Sequence, residues 1–117
     1  LPGRVGHRPH FVLAVVNLLR NAAQASGGQG NVQLSARLRD QGGQLIITIE
    51  DNGPGVPASE RATIFRAGYS LRPGGRGHGL AVVREVIETE MQGRVSCDDS
   101  PLGGARMTVL LPLAERR

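Results

Sequence analysis

The sequence predicts an α+β fold, a two-layer sandwich in which helices cover one face of a mixed, largely antiparallel sheet. Three observations predict it. Two segments carry apolar residues at helical spacing, two pairs of segments form strand-like runs around short turns, and the order along the chain is helix, hairpin, loop, helix, hairpin. A chain of 117 residues is long enough to bury a core without disulfide or metal support. We therefore expect residues 1–117 to form a single domain.

The first predicted helix covers residues 10–25, and the glycines that follow end it. Its apolar face, at the spacing of one helix side, consists of Phe11, Val15, Leu18, Ala22 and Ala25. A neighbouring face carries three carboxamides at the same kind of spacing: Asn17, Asn21 and Gln24. Asparagine is a poor helix former, so two of them inside a helix indicate either a functional stripe or a solvated polar face.

The next two segments are predicted to form a hairpin. Residues 32–38 alternate between apolar and polar side chains, the pattern of a half-buried strand. Residues 45–50 are more evenly apolar, which indicates a more central strand, and Asp51 stands where this strand ends. A second hairpin is predicted near the C-terminus, with strands at residues 94–98 and 105–111.

Two glycine clusters flank the segment between the hairpins. The first, with Gly53 and Gly55, directly follows Asp51, and the second, residues 75–79, opens a helix predicted over residues 78–91. Glycine lets the backbone approach a ligand closely, and a helix start directs free N–H groups at anions. A carboxylate at one end and an anion cradle at the other indicate a nucleotide site.

The segment between the two clusters shows little periodicity. Residues 54–76 contain one possible helical turn, near residues 58–65, and many glycines and prolines. A stretch of this length in a compact domain is typical of a functional lid or of disorder.

Composition excludes several classes of function. The net charge is +4, and every basic residue is an arginine, so no catalytic or phosphate-loop lysine is available. The scattered arginines and the few aromatic residues argue against a nucleic-acid partner. Cys97, the single cysteine, rules out an internal disulfide and is predicted to be a small core residue. The sequence contains no apolar run near the roughly 18 residues that a membrane span needs.

Four motifs occur in one order along the chain. Residues 17–22 read Asn-Leu-Leu-Arg-Asn-Ala, residues 51–56 read Asp-Asn-Gly-Pro-Gly-Val, Ile64-Phe65 follow, and residues 75–80 read Gly-Arg-Gly-His-Gly-Leu. They resemble the N box, first glycine box, F box and second glycine box of the ATP-binding domain of sensor histidine kinases. Residues 103–112 resemble the C-terminal strand of that domain. The resemblance implies the Bergerat-type ATP-binding fold of the GHKL superfamily, with a mobile ATP lid over residues 56–76 that orders when nucleotide binds.

At the base end, the resemblance implies that Asp51 accepts a hydrogen bond from the adenine amino group. Gly53 and Gly55 let the backbone pass close to the base, and Val56 begins the lid. Along the helix, the resemblance implies that Asn21 ligates Mg²⁺ through its side-chain oxygen, as suits this oxygen-seeking cation. Asn17 and Gln24 are then expected to face the same ion and the phosphates of ATP.

At the phosphate end, the resemblance implies that Gly77, Gly79 and the helix that continues through Leu80 hold the phosphates. Arg72 and Arg76 are their expected charge partners, with an exposed position in the lid as the alternative. Phe65 is expected to pack the base of the lid onto the domain. His78 stands where an apolar residue is usual, so it either lies near a phosphate or replaces a packing residue, and packing or partial exposure is favoured. Two further residues lie in the predicted lid: Tyr69 and Ser70.

Asn17 decides between two kinds of chemistry. The related ATPases carry a glutamate at this position as the general base for water, and asparagine cannot take up a proton at neutral pH. Phosphoryl transfer to a positioned acceptor is therefore favoured over hydrolysis. His7 is followed by Arg8 and His10 by Phe11, so neither has the acidic neighbour of the family's phosphoacceptor histidine.

The resemblance thus implies the catalytic domain of a two-component histidine kinase without its acceptor domain. Its expected partners are Mg-ATP, a separate helical phosphoacceptor domain and a downstream response regulator. Its expected location is cytoplasmic, either as a cytoplasmic protein or as the cytoplasmic part of a sensor that other segments anchor in a membrane. Three alternatives stay open at this point: a nucleotide-binding domain without transfer activity, a serine kinase of the anti-sigma type, and a basic nucleic-acid binder.

Overall fold

A computed structural model describes residues 8–27, 30–39, 43–66 and 79–112. The helix α1 spans Arg8–Ala25, and the strands β1 and β2 span Val32–Arg39 and Gln44–Asp51. Two short 3₁₀ turns follow at Ala58–Glu60 and Thr63–Phe65. The helix α2 spans Gly79–Arg84 and continues as a π-helix over Glu85–Glu90, before strands β3 (Arg94–Asp99) and β4 (Ala105–Pro112).

The described strands form one sheet in the order β1-β2-β4-β3, with all three pairings antiparallel. The two hairpins are therefore joined through β2 and β4, where Ile47 pairs with Val109 and Glu50 with Arg106. This arrangement places β2 inside the sheet, as its evenly apolar sequence predicts. With helices α1 and α2 packed on the sheet, it confirms the α+β sandwich.

Helix α1 begins two residues earlier than predicted and ends where predicted. Its buried face is formed by Ala14, Leu18 and Ala22, which are at most 2% exposed and lie one helical turn apart. Together with buried residues of α2, β2, β3 and β4, these side chains make one continuous core. The expected face is thus confirmed at Leu18 and Ala22.

The prediction that β1 is half-buried is wrong. Residues 31–37 are exposed, including Leu34 at 51%. Alternation in a strand shows which side chains share a face, but it does not show whether a helix covers that face. Here α1 packs mainly on β2, α2 and the π-helix pack against β3, and β1 lies at the edge of the sheet beyond most of α1.

The predicted helix at residues 78–91 changes its hydrogen bonding midway. After Arg84 the backbone follows π-helical geometry, and the N–H of Met91 donates to the carbonyl of Val86 at 3.0 Å. The wider turn still buries Val83, Val86 and Ile87. Helical spacing in the sequence therefore predicted the buried residues but not the change of helix type.

The first part of the predicted lid is packed onto the domain. The two 3₁₀ turns replace the single helical turn predicted there, and Ile64 and Phe65 are buried in the core. Val56 is also buried. The described part of this segment ends at Arg66, and for the rest of the predicted lid, which lies outside the described residues, mobility stays a prediction.

Candidate nucleotide-binding site

A cavity of about 200 Å³ lies between the C-terminal half of α1 and the ends of β2 and β4. Five of the predicted site residues line it: Asn21, Gln24, Asp51, Gly55 and Val56. Four further residues complete its wall: Ala25, Pro54, Ala105 and Met107. The first glycine cluster and the carboxamide stripe of α1 therefore meet at one site, as the sequence predicts.

Asp51 is the buried polar residue of this cavity. Its side chain is 2% exposed, and its Oδ1 atom accepts hydrogen bonds from the backbone N–H of Gly53 at 2.9 Å and of Ala105 at 3.1 Å. Both bonds end on Oδ1, so Oδ2 has no donor among the described residues. Burying a carboxylate is costly unless it is hydrogen-bonded, and here two amides hold it in one orientation. One oxygen thus anchors the group while the other is left for a ligand.

Gly104 leaves the space that the Asp51 carboxylate occupies between its two amide donors, an arrangement called here the Asp51 seat. A Cβ atom at Gly104 would lie 2.2 Å from Oδ1 of Asp51 and 2.6 Å from the backbone nitrogen of Gly53. The N–H of Gly104 also donates to the carbonyl of Asp51 at 3.1 Å. Any side chain here would collide with the carboxylate, so glycine is needed for close approach.

Gly53 lets the turn after Asp51 pack closely against the end of α1. A Cβ atom there would lie 2.4 Å from the carbonyl oxygen of Ala25, at the last residue of the helix. Asn52 adds a hydrogen bond, since its Oδ1 accepts from the backbone N–H of Asn31 at 3.0 Å. These contacts fix the carboxylate relative to the carboxamides of α1.

Asn17 lies one helical turn before Asn21 and faces the start of α2. A Cβ atom at Gly79 would lie 3.7 Å from Oδ1 of Asn17. Asn17 does not line the cavity itself. The three carboxamides of α1 therefore extend from the cavity, at Asn21 and Gln24, to the first residue of α2, at Asn17.

The remaining predicted residues fall into two groups. Phe65 is 4% exposed and belongs to the core, and Leu80 packs against the core while half-buried, so neither lines the cavity. Phe65 thus packs the base of the predicted lid onto the domain. The second group lies outside the described residues and stays a set of predictions: Tyr69, Ser70, Arg72, Arg76, Gly77 and His78.

Sequence reasoning missed Arg61. Its Nε donates to the carbonyl of Val56 at 3.0 Å, and its guanidinium also pairs with Asp99 at 2.7 Å. No local pattern pointed to it, because Asp99 follows 38 residues later in the chain. Gly104 and the N–H of Ala105 were likewise missed as partners of Asp51, since only the β2–β4 pairing brings them together.

Cys97 is a buried thiol of β3, as predicted. Burial raises its pKa from 9.0 to about 11, against the opposing effect of the Arg61 charge. The thiol is therefore protonated and poorly nucleophilic at neutral pH. It has no part in the site's chemistry.

The donors of the cavity suit Mg²⁺ bound together with phosphates. Among residues 8–27, 30–39, 43–66 and 79–112, no group of three His, Cys, Asp or Glu side chains could hold a metal by itself. Mg²⁺ commonly takes only one or two protein oxygens and completes its shell with water and substrate phosphates. The side-chain oxygen of Asn21, in the cavity wall, fits that mode of binding.

A buried carboxylate with one anchored oxygen, facing carboxamides across a small cavity, has the form of a purine nucleotide site. Residues 6–115 match the family described as histidine kinase-, DNA gyrase B- and HSP90-like ATPase. The chain belongs to this family, as an ATP-binding domain of the kind found in sensor histidine kinases.

Three comparisons illustrate the relationship. The sensor protein PhoQ of Escherichia coli (strain K12) is 43% identical over 109 residues, which cover 91% of this chain and 21% of PhoQ. The mycobacterial sensor histidine kinase MprB superposes with a TM-score of 0.79 at 32% identity, over 89% of this chain and 70% of that chain. Full-length ShkA in complex with AMPPNP gives 0.77 at 30% identity, over 92% of this chain and 22% of ShkA. The chain thus spans about a fifth of the curated relative it matches.

Proposed function

We propose that this domain binds Mg-ATP in the cavity and, within a larger protein, supplies the γ-phosphoryl group for transfer to a histidine of a separate helical domain. The observation that carries the proposal is the seat of Asp51, a buried carboxylate with one oxygen held by two amides and the other without a described donor. The membership of the family and the ShkA complex with AMPPNP support ATP as the nucleotide.

The base end selects adenine by hydrogen-bond polarity. A carboxylate oxygen only accepts hydrogen bonds, so Oδ2 of Asp51 fits the exocyclic amino group of adenine and opposes the exocyclic oxygen of guanine. Met107 and Val56 supply apolar surface in the cavity wall, against which a purine ring would pack. Because Oδ1 is already held by two amides, the carboxylate needs little rearrangement when the base binds.

The phosphate end begins at the carboxamide stripe of α1. Asn21 would hold Mg²⁺ together with the phosphates, and the bound ion would supply neutralisation of their negative charge. Asn17, which lies next to the first residue of α2, would contact the same phosphates. The second glycine cluster and the arginines of the predicted lid complete this end in the proposal.

The proposed reaction is transfer rather than hydrolysis. Asn17 occupies the position one turn before Asn21 and cannot act as a general base for water at neutral pH. The protein's contribution is then positioning and charge neutralisation, which is what phosphoryl transfer chiefly requires. In the proposal the acceptor nitrogen belongs to the separate helical domain, since neither His7 nor His10 is followed by the acidic residue of the family's acceptor histidine.

A surface next to the start of α2 supports docking of the helical acceptor domain. A groove of about 370 Å³ runs between α1 and α2, with apolar side chains of Leu13, Val82 and Val86 in its wall. Val12 and Leu13 of α1 are about half exposed, at 53% and 47%. Exposed apolar patches mark interaction sites in soluble domains.

None of the described helices is long and apolar enough to cross a membrane. We propose in addition where the whole protein works and which partner follows it. The domain would work on the cytoplasmic side of a sensor, and a response regulator would receive the phosphoryl group from the acceptor histidine.

The test combines binding and transfer. The domain is titrated with Mg-ATP, then mixed with the proposed helical domain of the same protein and radiolabelled ATP, and acid-labile phosphate on histidine is measured. We expect both binding and transfer, and we expect Asn21→Ala to abolish transfer while the exposed control Arg94→Gln preserves it. Binding without transfer would reduce the proposal to a nucleotide-binding domain, and absence of binding would overturn it.

A further inference from the structure

We propose that Arg61 is a positioning residue for nucleotide binding, which fixes the Val56 wall of the cavity without touching the nucleotide. Arg61 is not among the residues that line the cavity. The inference rests on the proposed function, because it concerns the affinity of the same site for Mg-ATP.

Arg61 joins the cavity wall to the sheet through two donors of one guanidinium. Nε donates to the carbonyl of Val56 at 3.0 Å, and Nη2 donates to Oδ1 of Asp99 at 2.7 Å. Val56 is buried and lines the cavity, whereas Asp99 is the last residue of β3. The planar fork of arginine suits this role, since it presents several donors in a fixed geometry.

Val56 needs such a connection because it lies outside the sheet. Strand β2 ends at Asp51, and the chain then turns through Gly55, which has a φ of 78°. A Cβ atom at Gly55 would sit 3.6 Å from the carbonyl oxygen of Gly104, so the chain passes close to the β3–β4 turn there. No strand neighbour fixes the Val56 carbonyl, and the side chain of Arg61 does so instead.

The bridge made by Arg61 lies in the middle of the described segment after β2. Asp51 and Gly53 hold the segment at one end, and Ile64 and Phe65 bury the other end in the core. Between these two ends, Arg61 fixes the chain through its hydrogen bond to the Val56 carbonyl. A wall that is ordered before the nucleotide arrives lowers the ordering cost of binding, so its loss should appear as weaker affinity.

The test is a double-mutant cycle on the bridge, read by isothermal titration with Mg-ATP well below the melting temperature. The variants are Arg61→Gln, Asp99→Ala and both together, with Arg94→Gln on the same strand as Asp99 as the matched control. We expect Arg61→Gln to raise the Kd by about 3- to 10-fold, the value of one hydrogen bond at a partly buried site. Asp99→Ala should raise it less, and the double variant should match Arg61→Gln, because the two residues act through one bridge.

Several outcomes would overturn the inference. These are a wild-type Kd in Arg61→Gln, a lower melting temperature with no change in Kd, or effects of the two changes that multiply in the double variant. If Arg61→Gln does not fold, Asp99→Ala decides, because its side chain is 84% exposed and its loss should barely affect stability. A wild-type domain that does not bind Mg-ATP would instead refute the proposed function itself.

Discussion

Replacement of Gly104 by alanine tests how the Asp51 seat is built. The added Cβ atom would meet Oδ1 of Asp51 at 2.2 Å, the Asp51 carbonyl at 2.6 Å and the Gly53 nitrogen at 2.6 Å. Two of these atoms are backbone and cannot swing away, so the backbone around Asp51 and Gly104 must shift and the carboxylate must move off its two amide donors. Overpacking costs about 1–3 kcal/mol, and loss of a hydrogen bond to a charged group costs about 1.5–3 kcal/mol. The free energy of unfolding should therefore fall by roughly 2.5–6 kcal/mol.

The assay is urea unfolding followed by titration of the folded variant with Mg-ATP. Gly103→Ala is the matched control, because Gly103 has a φ of 105° but open space around it. It should lose stability through backbone strain, about 1–3 kcal/mol, while keeping its affinity for Mg-ATP. Gly104→Ala should lose at least about tenfold in affinity, since the oxygen proposed to contact the base moves with the carboxylate. Wild-type affinity in Gly104→Ala, or an equal loss in Gly103→Ala, would refute this reasoning.

Two further predictions concern stability away from the cavity. Burial raises the Cys97 pKa from 9.0 to about 11, so the native state keeps a proton that the unfolded chain loses in this range. The contribution of Cys97 to the free energy of unfolding should therefore be constant below pH 9 and fall between pH 9 and about 11. Urea unfolding should show that Cys97→Ala lacks this fall, and an identical pH profile in the variant would contradict the prediction. Gln92 has a φ of 62°, a left-handed conformation that strains most residues but not glycine. Gln92→Gly should therefore raise the free energy of unfolding by about 0.5–1 kcal/mol, and a lower melting temperature in calorimetry would contradict this prediction.

The sequence predicted the parts of the fold whose signal is local. Helical spacing in α1 marked Leu18 and Ala22 as buried, and the evenly apolar run of β2 indicated an inner strand; both are confirmed. The burial of β1 could not be predicted in the same way. Whether Leu34 is covered depends on where the helices pack, and the alternation of apolar and polar residues in β1 does not determine this.

The site shows the same division between motif and tertiary contact. The motifs indicated Asp51 and Asn21, and the structure brings both to one cavity. They did not indicate what holds Asp51 in place. Gly104 and Ala105 reach it only because β4 pairs with β2, and Arg61 reaches Asp99 only because the segment after Val56 folds back toward β3. Such partners are far apart in sequence and carry no short-range pattern.

The most direct test of the central claim is the nucleotide preference of Asp51→Asn. The asparagine oxygen can still accept from Gly53 and Ala105, so the fold should be retained, while its NH₂ group would take the place of the base-reading Oδ2. Isothermal titration should show Mg-ATP affinity lowered by roughly 30-fold or more, the cost of opposing two donors at a buried site, with no such loss for Mg-GTP. Unchanged Mg-ATP affinity in a folded Asp51→Asn domain would contradict the claim that this carboxylate reads adenine.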